Sequence, residues 1–332
     1  MKIGVLGLGF MGSTHLRALA DIRQAEVAAV MDADEQRLSG DLSGIQGNLG
    51  GPGQEMDFSG MRRYRAPADI LADPDLDAVD ICLPTYLHEP LAIQALQAGK
   101  HVLVEKPMAL DGAAADRMVA EAGRQKRILM TAQVLRFSPA YQALMRLVKS
   151  GKLGAVRSAL FRRRTAVPTW GPWEFDSAKS GGGVFDLLIH DVDMSLLLFG
   201  APEAVSATGY EDMAHGIDMI TAEFHYPEVG SVTITGGWHH RGEYPFSMEY
   251  TVVADRGVVE FSSAGRPATV YWSDGRKEAL PCDDKNPYQA EIEYFVECCE
   301  QGRKPELCPP ADSAAAVKAA RLMVEARNKK EA

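Results

Sequence analysis

Two adjacent charged residues, Glu105 and Lys106, follow the apolar run Val102–Val104 and precede Pro107. The apolar run predicts a short buried strand of a parallel sheet, which Pro107 ends because proline has no N–H to give to the ladder. The pair therefore lies at the carboxyl end of a strand, where open α/β sheets bind ligands. There the Lys106 ammonium could stabilise negative charge on a reacting oxygen. On residue types alone a surface Glu–Lys pair is the simpler interpretation, so the other motifs decide.

A second polar cluster follows three consecutive glycines, Gly181–Gly183. The apolar residues after the glycines recur with helical spacing, which places Asp186 and His190 on one face of a helix, four residues apart. An aspartate one turn before a histidine can fix its tautomer and raise its basicity, as a proton relay requires. Asp193 could orient the histidine as well. Alone, the segment would be interpreted as a helix N-terminal aspartate and a core histidine.

The same segment contains residue types that bind metal ions. His190, Asp191 and Asp193 could serve as ligands, and His239 and His240 could add more. We rank this site well below the relay, because Asp191 points away from the helix face that carries the relay. The sequence therefore predicts no bound metal.

The amino-terminal residues form a nucleotide-binding motif in its required setting. Lys2–Leu6 predict a strand, a Gly-x-Gly-x-x-Gly turn follows at once, and Ser13–Ile22 predict a helix. The first glycine of such a turn permits the tight bend, the second lets the backbone approach a pyrophosphate, and the third lets helix and strand pack closely. The helix N-terminus offers N–H donors to the phosphates. The predicted cofactor contacts in this turn are Gly7, Gly9, Phe10, Met11 and Gly12.

A carboxylate at the end of the second predicted strand, Glu26–Met31, bears on cofactor choice. Asp32 lies twenty residues after Gly12, which suits a hydrogen bond to the adenine ribose 2′-hydroxyl. Because Asp34 is close and no arginine directly follows Asp32, a 2′-phosphate would meet two carboxylates. NAD is therefore favoured over NADP. A helix N-cap is the alternative role of Asp32.

The order of the predicted elements indicates two domains. Strands and helices alternate over residues 1–130, as a doubly wound parallel sheet requires. From Ala155 onward period-2 alternation, clearest at 220–226 and 248–254, indicates a mostly antiparallel sheet with one face on a core. The fold class is therefore α/β, with a second, α+β domain over residues 131–332. Its last helix, at about 311–326, is expected to pack back on the first domain, and the outer sheet face is a candidate oligomer interface.

Residues 40–60 interrupt the alternation of strands and helices. They contain seven glycines and little periodicity, so we predict a long loop on the adenine side of the cofactor. A disordered insertion and a lid over the cofactor both fit this composition.

Composition narrows the partners and the compartment. A net charge of −10 over 332 residues argues against nucleic acid or an anionic membrane as partner. No run of about 18 apolar residues and no leader with a cleavage site is present, so we expect a cytoplasmic protein. The five cysteines lack zinc spacing and are expected to be reduced packing residues.

Together these motifs resemble the Gfo/Idh/MocA family of NAD(P)-dependent oxidoreductases, which includes inositol dehydrogenases and glucose-fructose oxidoreductase. The resemblance covers nearly the whole chain. It implies an N-terminal Rossmann domain, a C-terminal α/β domain with an open, largely antiparallel sheet, and a site in the cleft between them. Its carriers are Gly7–Gly12, Leu83–His88, Glu105–Pro107, and Gly181–Gly183 with Asp186 and His190.

The resemblance also implies roles for individual residues. Lys106 would bind the reacting oxygen, His190 would accept or donate the proton, and Asp186 would orient the histidine. Segment 40–60 is longer than the family pattern leads one to expect. The cofactor would be lined by Leu83, Pro84, Thr85, His88, Glu105 and Lys106.

The expected substrate carries several hydroxyl groups. The catalytic candidates, together with Arg136 and a loop bearing Trp170 and Trp173, offer more polar groups than a small apolar alcohol could satisfy. A tryptophan face could pack on a sugar ring, although loop packing is the simpler role for each. Arg162, Arg163 and Arg164 cannot all face one site, because alternate strand residues point oppositely.

We therefore predict NAD-dependent hydride transfer at a CH–OH group of a sugar, cyclitol or related polyol, by a homodimer or homotetramer formed through the C-terminal sheet. Two alternatives stay open. One is an enzyme of the same fold that oxidises its substrate only transiently, as in glycoside cleavage or epimerisation. The other is a non-catalytic, NAD-dependent binding or sensor protein.

Overall fold

The computed structural model describes residues 1–45, 47, 53–168 and 171–329, and the chain divides into two compact units. The first unit takes residues 1–134, 170–173 and 286–314, and the second takes residues 135–169, 174–285 and 315–332. Residues 286–314, which the sequence analysis assigned to the C-terminal domain, thus group with the N-terminal sheet. The predicted last helix spans the division at residue 314.

The strands and helices of the described residues follow the predicted alternation. The strands are β1 Lys2–Leu6, β2 Glu26–Met31, β3 Arg62–Tyr64, β4 Ala78–Ile81, β5 His101–Glu105, β6 Leu129–Ala132, β7 Val156–Thr165, β8 Ala204–Asp212, β9 Ile217–His225, β10 Ser231–Trp238, β11 Ser247–Ala254, β12 Gly257–Ser262, β13 Arg266–Trp272 and β14 Lys277–Ala279. The helices are α1 Phe10–Ala20, α2 Glu35–Leu38, α3 Pro67–Leu71, α4 His88–Gln97, α5 Gly112–Gln125, α6 Pro139–Lys149, α7 Ser177–Ser180, α8 Ile189–Phe199, α9 Pro287–Gln301 and α10 Pro310–Asn328.

The first unit is built on a parallel sheet with the strand order β3-β2-β1-β4-β5-β6. Its central strands are buried along nearly their whole length, as parallel strands covered on both faces must be. The strand order reverses between β1 and β4, and ligands bind outside the carboxyl ends of the strands at such a switch point. The predicted doubly wound sheet is confirmed, and it directs the glycine turn and Lys106 to the same edge.

Helix α1 begins three residues earlier than the sequence predicted. Gly9 is its N-cap, so the third glycine of the motif lies inside the first helical turn. A Cβ at Gly12 would overlap the carbonyl oxygen of Gly7, which explains why only glycine fits where the helix crosses the strand end. Gly7 itself has φ +91°.

The glycine-rich segment is closed at its base in the described residues. Asp41 and Glu55 form an isolated antiparallel bridge, and Leu42 and Phe58 are each 1% exposed. These two apolar side chains anchor the ends of the segment in the core of the first unit. Residues 46 and 48–52 of the predicted loop lie outside the described residues, so its role as lid or insertion stays a prediction.

The second unit contains a sheet with the order β14-β13-β12-β11-β7-β10-β9-β8. Each neighbouring pair is antiparallel except β7 and β10, which run parallel. The predicted alternation is confirmed, since Ile220, Ala222 and Phe224 are buried while Met219 and Thr221 are exposed. Across the described residues, no helix combines the length and the apolar character needed to cross a bilayer.

Candidate functional site

Asp32 lies at the end of β2 and supports the glycine turn directly. Its Oδ2 accepts a hydrogen bond of 2.8 Å from the backbone N–H of Leu8, between the first two glycines of the motif. The N-cap Gly9 has no side chain to cover the first turn of α1. The backbone is therefore accessible where a pyrophosphate would approach, and the turn fits a dinucleotide.

The helix N-cap that was considered as an alternative role for Asp32 is a different aspartate. Asp34 is the N-cap of α2, and its side chain accepts from the backbone N–H of Gln36. Asp32 instead accepts the N–H of Asp34 at 2.9 Å. The carboxylate predicted to face the ribose is thus held by backbone groups on both sides.

Arg37 is a residue that the spacing argument missed. Its Nη1 lies 3.5 Å from Oδ2 of Asp32, and its Nε lies 3.8 Å from Oδ2 of Asp34. The sequence signal was its position one helical turn after Asp34 on the short helix α2. Because Arg37 neutralises part of this acidic corner, repulsion of a 2′-phosphate is weaker than two isolated carboxylates would give.

Glu105 and Lys106 occupy the carboxyl end of β5, as predicted. Glu105 is 5% exposed, whereas Lys106 is half-buried. Oε2 of Glu105 accepts the backbone N–H of Lys106 at 2.9 Å, and the Lys106–Pro107 peptide is cis. The glutamate carboxylate therefore fixes the main chain from which the Lys106 side chain leaves the sheet.

A buried histidine connects this strand end to the nucleotide-binding helix. His15 on α1 places Nε2 3.1 Å from Oε1 of Glu105, and its Nδ1 donates to Oδ2 of Asp80 on β4 at 2.8 Å. Burial by itself lowers the pKa of His15, but Asp80 and Cys82 raise it well above its ordinary value. Burial by itself raises the pKa of Glu105, but His15 and Lys106 lower it.

Helix α9 adds a third carboxyl group to this cluster, which the sequence analysis did not single out. Glu291 is 0% exposed, and both of its carboxylate oxygens are buried without a hydrogen-bond partner among the described residues. Burial raises its pKa well above the usual range, and the nearby Glu105 and Asp80 raise it further against the effect of His15. The surroundings of Glu291 therefore favour the protonated form of its carboxyl group.

The segment after β4 is tied to the Glu105–Pro107 turn through His88. Its Nδ1 lies 2.8 Å from the carbonyl oxygen of Pro107, and its Nε2 lies 2.7 Å from that of Leu83. Burial lowers the pKa of His88. Both ring nitrogens thus contact main-chain carbonyls, so His88 holds together the two loops predicted to line the cofactor. Thr85, in the same segment, is 7% exposed.

The Asp186–His190 segment has a different backbone from the predicted one. Residues Val184–Leu188 form a π-helix, and α8 starts only at Ile189. In a π-helix the hydrogen bonds run from residue i to i+5, so a spacing of four falls just short of one turn, and the shared face of Asp186 and His190 stays a prediction. Such π turns are frequent at functional sites. Asp186 accepts from the indole Nε1 of the buried Trp238 at 3.1 Å.

The turn Gly181–Gly183, which precedes the π-helix, is held in place by contacts from β9 and α10. Asp218 on β9, 1% exposed, accepts the backbone N–H of Gly183 at 2.6 Å, and Arg327 on α10 pairs with the same carboxylate. Gly182 has φ +71°, and a Cβ there would overlap Asp218. Arg321 lies over the Phe185 ring, 4.7 Å from its centroid. The last helix therefore helps to hold the turn that leads to Asp186.

Two buried arginine–carboxylate pairs lie under helix α8. Arg136, 3% exposed, makes a bidentate pair with Asp193 at 2.8 and 2.7 Å. Arg163 makes a second with Asp191 at 2.8 and 3.1 Å. Asp191 and Asp193, the two aspartates considered as metal ligands, are thus both paired with guanidinium groups. Asp193 was also the residue considered as a second partner that orients His190.

The arginine triplet of β7 divides between the two sheet faces, as the alternation of strand residues requires. Arg163 is buried, whereas Arg162 and Arg164 both pair with Glu249 on the other face.

The structure describes most of the other residues that were predicted to contact a substrate. His190 is 9% exposed in the first turn of α8. Trp173 is half-buried in the short 3-10 segment Pro172–Phe175, and its ring lies near Gly171. Trp170 lies outside the described residues. The roles of His190, Trp173 and Arg136 toward a substrate stay predictions.

Family models match both parts of the chain. Residues 1–133 match a model described as an oxidoreductase family with an NAD-binding Rossmann fold, and residues 141–260 match the GFO/IDH/MocA C-terminal domain. The chain is 30% identical over 284 residues to myo-inositol 2-dehydrogenase of Thermotoga maritima, which covers 82% of this chain and 78% of the relative.

Solved structures share the fold over nearly the whole chain. UDP-N-acetylglucosamine 3-dehydrogenase from Acidithiobacillus ferrooxidans has a TM-score of 0.79 at 26% identity, covering 98% of this chain and 97% of that one. Levoglucosan dehydrogenase, in complex with NADH and L-sorbose, has a TM-score of 0.83 at 19% identity, covering 99% and 97%. With the family models these matches confirm the predicted resemblance, and the chain belongs to the GFO/IDH/MocA family of NAD-binding oxidoreductases, as a dehydrogenase of CH–OH groups.

Proposed function

We propose that the protein oxidises or reduces one CH–OH group of a cyclitol, sugar or related polyol, with Lys106, Asp186 and His190 as its catalytic residues. The observation that carries the proposal is the position of Lys106. It follows a buried carboxylate at the carboxyl end of β5, beside the switch point of an NAD-binding sheet. The names of the relatives, inositol and sugar dehydrogenases, support the substrate class.

The proposed chemistry requires the removal of a hydride and of a proton. Oxidation of a secondary alcohol removes a hydride from carbon and a proton from oxygen, and NAD takes up the hydride when it is bound. The Lys106 ammonium stabilises the negative charge that develops on the oxygen. His190 accepts the proton near neutral pH, and Asp186, itself held by Trp238, orients the imidazole. In the reverse direction the same groups return the proton.

The cofactor contacts are proposed on the first unit. The glycine turn would hold the pyrophosphate, and Asp32 would bind the adenine ribose with the oxygens that its backbone contacts leave accessible. Glu105 and the two loops that His88 joins would form the part of the site that holds the nicotinamide. Because both ring nitrogens of His88 contact main-chain carbonyls, these loops would contact the cofactor through their main chain and not through the His88 ring. The remaining proposed contacts are Phe10, Met11, Leu83, Pro84 and Thr85.

A polyol panel tests the proposal. Purified protein is mixed with NAD and with myo-inositol, its isomers, aldoses and simple aliphatic alcohols, and NADH absorbance is followed. We expect net NADH formation with at least one polyhydroxylated compound and none with the aliphatic alcohols. Product formation without net NADH would instead identify a transient oxidation, and binding of NAD without any turnover would identify a sensor protein.

The lysine is then tested on whichever substrate emerges. Lys106→Ala should lower turnover by about 10²–10⁴-fold, the usual loss for an acid–base or charge-stabilising group. Lys2→Ala, an exposed lysine of the same unit, serves as the matched control and should keep full turnover. Equal turnover of the Lys106 variant and the control would remove Lys106 from the mechanism.

We also propose a homodimer or homotetramer formed through the outer face of the second sheet. Three large apolar side chains are exposed on that face. Tyr210 lies opposite Met219 in the β8–β9 pairing, and Leu160 projects from β7 beside the Arg162–Glu249 pair. Their exposed fractions are 59%, 37% and 38%. Exposed apolar side chains near polar and charged groups are typical of protein interfaces.

Light scattering at micromolar concentration tests the assembly. The protein should be an oligomer, and Leu160→Arg should shift it to the monomer. Leu322→Arg is the matched control, because Leu322 is 49% exposed on α10 and should tolerate the same charge without dissociation. A monomeric wild type would refute the proposal. The cytoplasm stays our proposed compartment, and all five cysteines are free thiols.

A further inference from the structure

A continuous line of buried contacts runs through the first unit, from Asp80 to the main chain of Lys106. Asp80 accepts from Nδ1 of His15 at 2.8 Å, and Nε2 of His15 lies 3.1 Å from Glu105. The other oxygen of Glu105 accepts the backbone N–H of Lys106 at 2.9 Å. Three elements, α1, β4 and β5, are joined by this line, and each contributes one charged side chain.

The distances favour a charged imidazole in the middle of the line, although the contact of Nε2 with Glu105 is an ion-pair distance and not an aligned hydrogen bond. Each ring nitrogen faces a carboxylate oxygen, so a neutral ring would present one lone pair to a carboxylate. The His15 side chain is 0% exposed, and the Asp80 and Glu105 side chains are 2% and 6% exposed, so water cannot replace a lost contact. Loss of one partner from a buried charged network is costly because it leaves the other charges uncompensated.

Among the described residues, the other groups that face His15 come from the end of β4 and from α9. Cys82 at the end of β4 places Sγ 3.5 Å from Nδ1 of His15, and its own pKa is raised by burial. From α9, Glu291 is a buried carboxyl group whose pKa is raised by burial, and the Tyr288 ring lies 6.4 Å from the imidazole. The Lys106 ammonium acts on Glu105, whose pKa it lowers together with His15. The imidazole is therefore the positive group that compensates the buried Glu105 carboxylate from inside the sheet.

We propose that His15 is a positioning residue for Lys106. Held between Asp80 and Glu105, it fixes the carboxylate that receives the Lys106 N–H, and it ties this strand end to the helix that starts at the nucleotide-binding turn. The proposal rests on the proposed catalytic role of Lys106. Its consequence is a coupling within one unit, because displacement of α1 at His15 displaces the main chain that carries the ammonium. A misplacement of about 1 Å can lower a rate by two orders of magnitude.

Two replacements of His15 separate its two contacts. Asparagine places an amide where Nδ1 was, so His15→Asn keeps a donor toward Asp80 and loses Glu105. Glutamine reaches the position of Nε2, so His15→Gln keeps a donor toward Glu105 and loses Asp80. We expect kcat to fall ~10-fold or more in the Asn variant and distinctly less in the Gln variant, while the Kd of NAD changes less than kcat does in both.

The pH profile gives a readout that a merely structural role would not move. Without the imidazolium, burial raises the pKa of Glu105, so the carboxylate takes up a proton as the pH falls. In the His15→Asn variant, kcat/KM should therefore fall more steeply than in the wild type as the pH is lowered from 8 to 6. The ratio of the pH 8 value to the pH 6 value should exceed the wild-type ratio by ~10-fold, which is the loss over one pH unit when a required carboxylate takes up a proton. His101→Asn is the matched control. His101 lies at the opposite end of β5, where its Nδ1 accepts the N–H of Ile128, and its loss should leave the profile unchanged.

A measurement on the wild type covers the case in which the variants do not fold. Nitrogen-15 NMR at pH 8 should show both ring nitrogens of His15 protonated. A neutral His15 would overturn the proposal, and so would equal kcat and equal pH profiles for the Asn and Gln variants. Failure of the proposed function is recognised separately, because Lys106→Ala would then leave turnover unchanged whatever the state of His15.

Discussion

The two units hold their candidate catalytic residues by different electrostatic means. In the first unit the Glu105–Lys106 turn depends on a histidine and three buried carboxyl groups, and burial raises the pKa of one of them, Glu291. In the second unit the π-helix and α8 rest on Arg136–Asp193 and Arg163–Asp191, with the Trp238 indole on Asp186. Arginine stays charged at every working pH, whereas histidine does not. Apart from the proposed proton transfer at His190 itself, the pH response of the supporting contacts near neutrality should therefore come from the first unit.

The directions of the pKa shifts of His15 and Glu105 define the pH range in which these two groups stabilise the folded protein. The folded pKa of His15 is above its unfolded value, so its contribution to stability is complete below about pH 6.5 and is lost as the pH rises through the folded pKa. The folded pKa of Glu105 is below its unfolded value, so its contribution is present above about pH 4.3 and is lost as the pH falls through the folded pKa. Both contributions to stability are thus complete between these limits, in mildly acidic solution, and the His15 contribution declines above them.

The largest effect should follow from breaking the proposed relay in the second unit. Asp186→Asn and His190→Asn should each lower turnover on the established substrate, by up to about 10²–10⁴-fold. The double variant should cost less than the product of the two, because residues that act as one unit are not additive. Steady-state kinetics of the four proteins measure this coupling. Strict additivity would show that the π-helix does not pair the two residues.

The next largest effect concerns stability. Arg163→Met should destabilise the protein by about 3–5 kcal/mol, because it leaves Asp191 as an uncompensated buried charge. Arg162→Met is a matched control on the same strand. Its pair with Glu249 is partly exposed, so its loss should cost less than about 1 kcal/mol. Thermal unfolding of both variants gives the comparison, and similar losses would contradict the structural role of the buried pair.

A smaller effect concerns the cofactor. NAD should bind more tightly than NADP, and Asp32→Ala should narrow this difference by about tenfold, or ~1.4 kcal/mol, since it removes a ribose hydrogen bond and a repulsive charge. Equilibrium titration with both cofactors measures the change. Arg37→Ala should act in the opposite direction, because the acidic corner then lacks its counter-charge. Tighter binding of NADP by the wild type would refute the assignment.

The smallest expected effect is that of Glu291 on the pH dependence of stability, and it tests the pH response assigned to the first unit. Because the folded pKa of Glu291 is raised, the folded protein binds a proton there that the unfolded chain has released above about pH 4.3, so stability falls as the pH rises. Glu291→Gln removes this dependence and should raise the unfolding midpoint at pH 8 by about 2–4 °C, the shift for ~1 kcal/mol in a domain of this size. At pH 5 the change should be smaller. An equal shift at both pH values would show that Glu291 is not the titrating group.

The sequence predicted the parts of the site that depend on local pattern. The glycine turn, the end of β5 and the alternation of β9 follow from short-range periodicity, and the structure confirms each. It could not predict the partners of buried charges, because Asp193 and Asp191 meet Arg136 and Arg163 only through the tertiary fold. His15 was passed over for a related reason. A histidine inside a helix pattern carries no signal until β4 and β5 bring carboxylates to it.

The π-helix shows a second limit of pattern analysis. The apolar spacing after the glycines fits an α-helix, and the wider turn leaves that pattern nearly unchanged while it shifts Asp186 and His190 relative to each other around the helix axis. The signal that could have raised the question is the run Gly181–Gly183, since two of its members adopt positive φ.

The discontinuity of the first unit has a consequence for synthesis on the ribosome. Its sheet is fully translated by residue 134, but the helix that supplies Glu291 belongs to residues 286–314, which emerge 152 to 180 residues later. At 5–20 residues per second this interval is roughly 10–40 s. During it the inner face of α1 is uncovered and the Asp80–His15–Glu105 line is open on one side. We therefore expect the nascent amino-terminal unit to engage chaperones, and to bind the cofactor firmly only after α9 has been made.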